Sequence, residues 1–435
     1  MNYRETIDFL FNSLPMYQRT GKAAYKANLD NAIELDQLLG NPHKQFRTIH
    51  IAGTNGKGSV SHILASILSE AGYKTGLYTS PHLLDFRERI RVNGEMIDRQ
   101  EVVRFVADHH EAITRISPSF FEMTFAMALD HFAHAGIDFG IIETGMGGRL
   151  DSTNIITPIA SVITNISLDH MEFLGSTTEL IAAEKGGIIK EKVPVVLGTN
   201  SEPVTNVIRK IAASKKSRLI LAGEEREFSF QTQTTDHSSV FHFRNLKSNR
   251  VEQIKCDLNG KYQHENISVV MSAVELLENL GVSISAEALT SGLSKVRKNT
   301  SLRGRWEITG ANPRVICDTA HNEAGVAAIS DQLKHTPYRK LHIVWGMVGD
   351  KTADKILRLL PGEALYYYTQ PTIPRALPTE KLAEAAEAAG RAGTSFPEVE
   401  SAYQAARKAA DIKDTIFIGG STFLVADYLA AIQKG

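Results

Sequence analysis

The first half of the chain alternates short apolar runs with segments whose apolar residues recur at helical spacing. The apolar runs predict strands at residues 48–52, 75–79, 139–142, 159–164 and 193–197. The helical spacing predicts helices at residues 60–71, 101–116 and 122–135. Because strands that alternate with helices usually pair in parallel, the pattern predicts an α/β fold with a doubly wound, mostly parallel sheet.

This alternation is interrupted after residue 217. Polar turns separate strand-like runs at 218–221, 227–231 and 240–244, which predicts a small antiparallel sheet added to the first domain. Helical segments follow at 263–280 and 285–297. Residues 297–304 are polar and lack periodicity, so we expect a linker there.

Beyond the predicted linker, the strand–helix alternation resumes. Strands are predicted at 315–317, 341–345, 364–369 and 415–418, and helices at 323–335, 351–360, 379–390 and 421–432. This pattern predicts a second, smaller, Rossmann-like α/β domain. We therefore divide the chain into domains at 1–299 and 300–435.

Composition adds few constraints of its own. The 435 residues are 43% hydrophobic and 22% charged, as in soluble globular proteins, and 48 basic residues balance 49 acidic ones. Overall charge therefore does not favour nucleic acid or an anionic membrane as a partner. We expect Cys256 and Cys317 to be buried and unpaired, and the acidic N-terminal segment does not resemble a signal peptide. These features predict a cytoplasmic protein.

A glycine-rich turn joins the strand at 48–52 to the following helix, with the sequence Gly53-Thr54-Asn55-Gly56-Lys57-Gly58-Ser59. Backbone N–H groups and a helix N-terminus at such a turn favour an anion. Lys57 can neutralise phosphate charge, and Ser59 can ligate Mg²⁺. The turn differs from a Walker A motif, because Ile51 stands where that motif has glycine and Gly58 separates Lys57 from Ser59. We predict a phosphate-binding loop (P-loop) of a different kind.

Two polar residues follow other strands of the predicted sheet. Glu143 ends the run at 139–142, and His170 follows the run at 159–164. Ligands bind at the carboxyl edge of doubly wound sheets, so both residues are candidate metal ligands beside Ser59. Considered alone, Glu143 could equally cap a helix or form an ion pair, and an isolated histidine is more often structural.

Lys185 precedes Gly186, Gly187 and an apolar pair. A lysine on a helix is usually solvated, but these neighbours allow burial. Burial would lower its pKa and make the amine a nucleophile toward CO₂.

A second polar cluster follows the first strand of the second domain, where Asp318, His321 and Asn322 lie at a strand-to-helix turn. Such a turn commonly carries site residues. Asn322 is also a suitable N-cap for the helix at 323–335, and both roles are compatible.

Taken in order, these motifs resemble the dihydrofolate synthase/folylpolyglutamate synthase family of the Mur ligase superfamily. The resemblance covers nearly the whole chain. It rests on the segments at 53–59, 80–83, 86–90, 143–149, 168–170, 184–189, 304–305 and 318–322.

The resemblance implies a role for each matching residue. The residues that would bind ATP are Thr54, Asn55, Gly56, Lys57, Gly58, Ser59, Asn266, Arg305 and Asp318. Two Mg²⁺ ions would be held by Ser59, Ser80, Glu143, His170 and a carbamylated Lys185. The pterin side of the acceptor would contact Ser119, Phe120, Phe121, Glu122, Leu150, Asp151 and Ser152. Lys57, Lys185 and His321 would be catalytic, and Lys351 would approach the nucleotide and glutamate.

One segment departs from the family pattern. The family usually has Gly-x-His-Gln before the asparagine that corresponds to Asn266, whereas this chain has Tyr262 in place of the histidine. Asn266 keeps its spacing from the segment.

The implied reaction is ATP-dependent addition of L-glutamate to dihydropteroate or to the glutamyl chain of folates through an acyl phosphate. We expect a monomer that acts on small molecules, without nucleic acid or membrane partners. The first alternative is a peptidoglycan-precursor ligase of the Mur type. Those enzymes carry a nucleotide-sugar domain ahead of the loop, whereas 52 residues precede Gly53 here. A P-loop kinase is the second alternative, although it would not need the second α/β domain.

Overall fold

The structure is a computed structural model that describes residues 1–16, 28–233, 238–246, 249–349 and 353–434. The chain forms two compact units. The first contains Met1–Asp257 and Gln263–Leu302, and the second contains Leu258–Tyr262 and Arg303–Gly435. Within the described ranges, no helix has both the length and the apolar character needed to cross a membrane.

The first unit begins with two helices and then alternates strands and helices. Its elements up to residue 135 are α1 (Tyr3–Ser13), α2 (Asp30–Leu38), β1 (Arg47–Ala52), α3 (Lys57–Glu70), β2 (Thr75–Tyr78), β3 (Ile90–Val92), β4 (Glu95–Met96), α4 (Arg99–Asp108), α5 (His110–Ile116) and α6 (Phe120–Ala135). The alternation continues with β5 (Phe139–Glu143), β6 (Ala160–Ile163), α7 (Met171–Leu174), α8 (Thr178–Gly186), β7 (Val195–Leu197), α9 (Glu202–Ser214) and β8 (Leu219–Leu221).

These strands form one eight-stranded sheet in the order β4-β3-β2-β5-β1-β6-β7-β8. The six strands from β2 to β8 in that order pair in parallel, and β3 and β4 extend one edge antiparallel. Central strand β1 is buried at all but its first position, and β5 is buried throughout. Strands that are covered on both faces have nearly continuous apolar sequences, which explains the apolar runs seen in the sequence. The parallel pairing of six strands confirms the predicted mostly parallel sheet.

A small sheet and three helices complete the first unit. These elements are β9 (Arg226–Gln233), β10 (Ser239–Asn245), β11 (Val251–Cys256), α10 (Gln263–Asn279), α11 (Ala286–Ser294) and α12 (Val296–Thr300). Strand β10 lies between β11 and β9 in an antiparallel sheet, as predicted. The prediction that residues 218–221 belong to this sheet is wrong, because β8 pairs in parallel with β7 in the large sheet. Its apolar side chains thereby extend the larger core.

The predicted linker at 297–304 is partly helical. Its first residues lie in α12, where the Asn299 side chain donates to Ser66 Oγ at 3.1 Å and to Glu70 Oε1 at 2.8 Å. The polar residues that suggested a linker therefore anchor this segment to α3.

The second unit has its own six-stranded sheet. Its elements are β12 (Glu307–Ala311), β13 (Arg314–Cys317), α13 (Glu323–Lys334), β14 (Leu341–Trp345), α14 (Ala353–Leu359), β15 (Leu365–Tyr368), α15 (Thr379–Ala388), β16 (Gly393–Ser395), α16 (Val399–Ala409), β17 (Thr415–Gly419) and α17 (Thr422–Lys434). The strand order is β12-β13-β17-β14-β15-β16, with β12 antiparallel and the others parallel. The predicted second α/β domain is confirmed, and Cys256 and Cys317 are buried and in the thiol form, as expected.

Candidate active site

The glycine loop joins β1 to α3 in a conformation that needs glycine. Gly56 has φ of 88°, and a Cβ atom there would lie 2.1 Å from Asn266 Oδ1. A Cβ atom on Gly53 would lie 1.9 Å from Thr164 Oγ1, and that hydroxyl donates to the Asn55 carbonyl oxygen at 2.6 Å. The loop is therefore packed against Thr164, which follows β6, and against Asn266 of α10, and side chains at Gly53 or Gly56 would displace those neighbours.

Lys57 is the first residue of α3, and its side chain folds back over the loop. Its ammonium group donates to the carbonyl oxygens of Gly53 at 3.0 Å and Thr54 at 3.2 Å. A cation is thus held on the loop at the N-terminus of α3, where backbone N–H groups also favour an anion.

Lys185 lies in the last turn of α8 and is only 4% exposed. Its Nζ donates to the Gly53 carbonyl oxygen at 2.7 Å, on the same loop that Lys57 covers. Burial, and then the positive charge of Lys57, lower the pKa of Lys185 to about 7, against the opposing effects of Asp169 and Asp151. A substantial fraction of this amine is therefore neutral near pH 7.

Glu143 ends β5 next to the strand that leads into the loop. Ile51 of β1 is its register partner, and the Glu143 carboxylate is buried. Glu143 Oε2 accepts a hydrogen bond of 3.3 Å from the backbone N–H of Ser80, which follows β2. The structure thus brings together Glu143 and Ser80, two of the predicted metal ligands, at the carboxyl edge of the sheet.

His170 stands before α7 in a left-handed conformation, with φ of 47°. Its ring is partly exposed, and its Nε2 lies 3.9 Å from Asp169 Oδ1. Asp169 is not among the residues predicted from the sequence, although its charge acts on Lys185. The adjacent motif Leu168-Asp169-His170 was the available signal.

The predicted metal ligands do not form a conventional protein metal cage. Among the described residues, no group of three or more His, Cys, Asp or Glu side chains could hold an ion by itself. The predicted set has one carboxylate, one imidazole, two serines and a lysine. Mg²⁺ bound in nucleotide sites usually takes one or two carboxylates and completes its coordination with phosphate and water. The oxygen donors at Glu143 and Ser59 fit that use.

Helix α10 contributes a residue that the sequence analysis missed. Gln263 donates to Ser59 Oγ at 3.2 Å, and its Oε1 accepts from Asn266 Nδ2 at 2.7 Å. Asn266 in turn packs against Gly56. Gln263 thus connects the predicted metal ligand Ser59 to the predicted nucleotide ligand Asn266. The only sequence signal for it was its place beside Tyr262.

Two of the predicted acceptor residues have a structural role at the start of α6. Ser119 and Glu122 form a capping box, in which Glu122 Oε2 accepts from Ser119 N at 2.6 Å and Ser119 Oγ accepts from Glu122 N at 3.2 Å. Phe120 is buried in the core, and the Phe121 ring packs against Gly145. Phe121 therefore lies beside the loop that follows Glu143.

Asp151, another predicted acceptor residue, is buried and used by its own loop. Its carboxylate accepts from the backbone N–H groups of Met146 at 2.8 Å and Thr153 at 3.1 Å. Burial raises its pKa despite these donors. Its neighbours Leu150 and Ser152 are partly exposed. Of Leu150, Asp151 and Ser152, only Leu150 and Ser152 therefore have side chains that are partly exposed to solvent.

In the second unit, Asp318 follows β13 and is fully engaged. It accepts from the Tyr262 hydroxyl at 2.5 Å and from the backbone N–H groups of Trp306 at 2.7 Å and Ala320 at 2.9 Å. Burial raises its pKa. Arg305 donates to the Thr319 hydroxyl beside it. Tyr262, which stands where the family usually has histidine, therefore contacts Asp318, a predicted nucleotide ligand.

The rest of this turn is divided between a cap and an exposed histidine. Asn322 caps α13 by accepting from Gly325 N at 2.9 Å, as predicted. His321 is exposed, and its Nδ1 lies 3.1 Å from the Thr319 carbonyl oxygen. Lys351 lies outside the described residues.

Lys185 is a buried lysine that contacts the glycine loop from α8, and family models specify the class of protein. The model described as "Mur ligase middle domain" matches residues 51–274, and "Mur ligase, glutamate ligase domain" matches residues 304–422. The molecule is thus a ligase of the Mur class.

Individual relatives narrow the assignment. The dihydrofolate synthase/folylpolyglutamate synthase of Bacillus subtilis is 33% identical over 416 residues, which cover 93% of this chain and 95% of the relative. A probable bifunctional folylpolyglutamate synthase/dihydropteroate synthase of Haloferax volcanii is 32% identical over 98% of this chain, which spans about half (50%) of that longer protein. The chain belongs to the dihydrofolate synthase/folylpolyglutamate synthase family of ATP-dependent glutamate ligases.

Solved structures agree with this assignment. Escherichia coli FolC in complex with DHPP and ADP has a TM-score of 0.86 at 30% identity, covering all of this chain and 98% of the other. A bifunctional folylpolyglutamate synthase/dihydrofolate synthase with Mn, AMPPNP and L-glutamate bound has a TM-score of 0.84 at 28% identity, with 100% and 98% coverage. Members of the family therefore bind nucleotide together with a divalent metal.

Proposed function

We propose that this chain uses ATP to join the amine of L-glutamate to a carboxylate of dihydropteroate, or of the glutamyl chain of a folate. The observation that carries the proposal is the contact between Lys185 Nζ and the Gly53 carbonyl oxygen. A kinase that transfers phosphate to a hydroxyl has no need of a buried amine there. Full-length relatives in the folate pathway support the choice of substrate.

The proposed reaction has two steps, phosphoryl transfer and amide formation. An acceptor carboxylate oxygen attacks the γ-phosphorus of ATP, the bond to ADP breaks, and an acyl phosphate forms. The glutamate amine then attacks the acyl carbon, phosphate leaves, and the amine loses its proton. Lys57 neutralises charge on the transferring phosphoryl group from the loop, and the glycine loop fixes that group in line with the acceptor.

Ser59, Ser80, Glu143, His170 and a carbamate on Lys185 would hold two Mg²⁺ ions. When bound, Mg²⁺ neutralises phosphate charge and orients the phosphoryl group. Gln263 positions the Ser59 hydroxyl by donating to it, which leaves the serine proton free to point elsewhere. The backbone N–H of Ser80 holds one oxygen of Glu143.

The carbamate follows from the environment of Lys185. The lysine ammonium first loses one proton, and the neutral amine then adds to CO₂ and loses a second, so that the cation becomes an anion with two oxygen ligands. The pKa near 7 supplies the neutral amine, and the nearby Lys57 favours an anion at this position. A carbamate therefore adds oxygen ligands to a set that otherwise has a single carboxylate.

The nucleotide would also contact Asn266, Arg305 and Asp318, and the acceptor would contact residues 119–122 and 150–152. His321 would orient groups during glutamate transfer. We propose that the chain acts as a monomer, because all of these residues belong to one chain. The two buried cysteines are thiols rather than a disulfide, which agrees with a reducing cytoplasmic location. The even charge balance agrees with small molecules, rather than nucleic acid, as partners.

An omission assay tests the activity. ADP release should require both L-glutamate and a pterin acceptor, and each acceptor should gain one glutamate per ADP, as measured by mass spectrometry. ADP release with a hydroxyl acceptor would indicate a kinase. Release with a UDP-sugar and an amino acid would indicate a peptidoglycan ligase.

The same assay distinguishes the two folate activities. Dihydropteroate and tetrahydrofolate are supplied separately, and the products are sized by mass spectrometry. Product from dihydropteroate alone means dihydrofolate synthase activity, and lengthened products from tetrahydrofolate mean polyglutamylation.

A further inference from the structure

Arg89 lies at the edge of the sheet that carries the proposed site. It ends the short turn Phe86–Arg89, and its carbonyl oxygen accepts from the backbone N–H of Thr79 at 3.1 Å. Thr79 directly precedes Ser80, whose N–H donates to Glu143. Arg89 is therefore bound by its backbone to the chain that leads into the proposed metal ligands.

The Arg89 side chain is 3% exposed, yet no carboxylate in the described part of the chain pairs with it. Its Nε donates to His82 Nδ1 at 2.8 Å, and its guanidinium carbon lies 5.1 Å from the centre of the Phe120 ring. Burial lowers the pKa of Arg89, against the effects of Tyr78, Glu88 and Glu143. The guanidinium is thus a buried cation without a bonded counter-ion.

The neighbouring carboxylates are used elsewhere. Glu88 accepts from the backbone N–H groups of Leu83 at 2.8 Å and Leu84 at 2.9 Å. Arg91 donates to the Glu88 carbonyl oxygen. By contrast, Arg226 in the same unit is also buried and bonds Glu252 at 2.8 Å. Among the described residues, therefore, charge from Glu88 and Glu143 acts on Arg89, but no carboxylate is bonded to its guanidinium.

His82 adds a second donor at this position. Its Nδ1 accepts from Arg89, so a neutral ring carries its proton on Nε2. Arg89 and His82 together offer N–H donors and no acceptor.

We propose that Arg89, supported by His82, binds the acceptor carboxylate that is to be phosphorylated. This inference rests on the proposed function, and it identifies the atoms that hold one substrate. A guanidinium presents parallel N–H groups that match a carboxylate. Its position between Phe120, on the proposed acceptor side, and the segment of Ser80, on the proposed phosphate side, is where that carboxylate must lie for transfer.

The test compares acceptors with and without the charge. Dihydropteroate is paired with its carboxamide, and tetrahydrofolate with tetrahydropteroylglutamine, its γ-carboxamide. Binding to the full-length protein is measured by calorimetry for wild type, Arg89→Gln and Arg89→Lys. We expect wild type to prefer acid over amide by at least about 30-fold, which is the usual cost of leaving one partner of a buried charge pair alone. Arg89→Gln should bind acid and amide equally.

Arg87→Gln is the matched control. Arg87 lies on the same turn and already pairs with Asp85 at 2.8 Å, so its loss should leave the preference for acid unchanged. AMPPNP binding and circular dichroism report whether each variant is folded. If Arg89→Gln is unfolded, Arg89→Lys, which keeps the charge but lacks the fork, should show a reduced preference for acid.

The outcomes separate the two proposals. A wild-type protein that binds neither acid nor amide and shows no glutamate-dependent ADP release overturns the proposed function. A protein that ligates normally but prefers acid equally in wild type and Arg89→Gln overturns the Arg89 site alone. Loss of AMPPNP affinity in a folded Arg89→Gln, with the preference for acid intact, would mean that Arg89 serves the nucleotide instead.

Discussion

At the residue scale, Lys185 is the side chain whose chemistry depends most on its surroundings. A buried ammonium beside Lys57 is unfavourable, and a carbonyl oxygen at 2.7 Å compensates for only part of the lost hydration. Carbamylation would remove the positive charge and place an anion next to Lys57. The burial of Lys185 and its proximity to Lys57, rather than its immediate sequence, would therefore favour carbamylation.

We expect Lys185→Ala to lower the ligation rate by about 10²–10³-fold, the cost of removing one group that stabilises transferring charge. Acetate or formate at millimolar concentration should restore part of the rate by supplying carboxylate oxygens in the vacated space. Product formation by mass spectrometry is the measurement.

Lys190→Ala is the control for this experiment, because Lys190 follows the same helix and bonds the Asn154 carbonyl oxygen at 2.7 Å. It should keep most of the activity and show no response to carboxylates. Full activity in Lys185→Ala would exclude the carbamate.

Gly56 and Gly72 allow the strain of a left-handed backbone to be separated from a clash. Their φ angles are 88° and 89°, but a Cβ atom meets Asn266 at Gly56 and nothing within 4 Å at Gly72. We expect Gly72→Ala to lose about 1 kcal/mol in free energy of unfolding from backbone strain alone, and Gly56→Ala to lose more, because its Cβ atom also displaces Asn266. Only Gly56→Ala should also weaken AMPPNP binding, measured by calorimetry. Equal nucleotide affinity in the two variants would contradict the contact between Asn266 and the loop.

At the element scale, a buried polar chain connects β1 to the loop that follows β5. His50 Nε2 lies 2.8 Å from Thr153 Oγ1, and the Thr153 hydroxyl donates to Asp151. Burial, and then the charge of Lys190, lower the pKa of His50 to about 3. The strand that leads into the phosphate loop is thereby tied to the predicted acceptor loop by a histidine that must stay neutral.

The neutral state of His50 makes stability depend on pH. Between about pH 6.5 and 3, the unfolded chain binds a proton that the folded chain does not. The free energy of unfolding should therefore fall by up to about 1.4 kcal/mol per pH unit as the pH decreases through this range. Urea unfolding of wild type and His50→Gln from pH 7 to pH 4 is the measurement, and the variant should show the shallower dependence.

His134→Gln, at an exposed position on α6, serves as the control and should reproduce the wild-type slope. If His50→Gln also shows the wild-type pH dependence, the prediction that His50 is buried in its neutral form is wrong.

At the scale of the whole molecule, the chain enters the second unit twice. The segment Leu258–Tyr262 belongs to that unit although it lies between two parts of the first. Tyr262 ends the segment, and its hydroxyl bonds Asp318 within the second unit. The short segment is thus fixed at its end by a side chain at the position where the family usually has histidine.

We expect Tyr262→Phe to remove one of three donors to Asp318, which should lower the free energy of unfolding by about 1 kcal/mol and raise the KM for ATP roughly tenfold. Tyr262→His, which restores a donor, should recover most of the ATP affinity. Steady-state kinetics with varied ATP and thermal unfolding are the measurements. If Tyr262→Phe has the same KM for ATP as wild type, or if Tyr262→His has a KM as high as that of Tyr262→Phe, the hydrogen bond to Asp318 does not contribute to nucleotide binding.

Much of the fold could be predicted because its signals are local. The apolar runs that end at polar residues are strands buried on both faces, and their carboxyl ends carry Ser80 and Glu143 side by side. The error at β8 has the same origin. A three-residue apolar strand has no local feature that selects its partner. Strand β8 pairs with β7 because the large sheet extends as far as this segment.

The glycine loop, the strand edges and, through the order of the motifs, the family follow from the sequence alone, since each motif depends on residues that are close in the chain. Only the tertiary structure placed Lys185 on Gly53, Gln263 on Ser59, and His50 on Thr153, because these partners are separated by 132, 204 and 103 residues. It also showed that Arg89 is buried and that no carboxylate of the described ranges is bonded to it, since burial and pairing arise only when distant elements pack together.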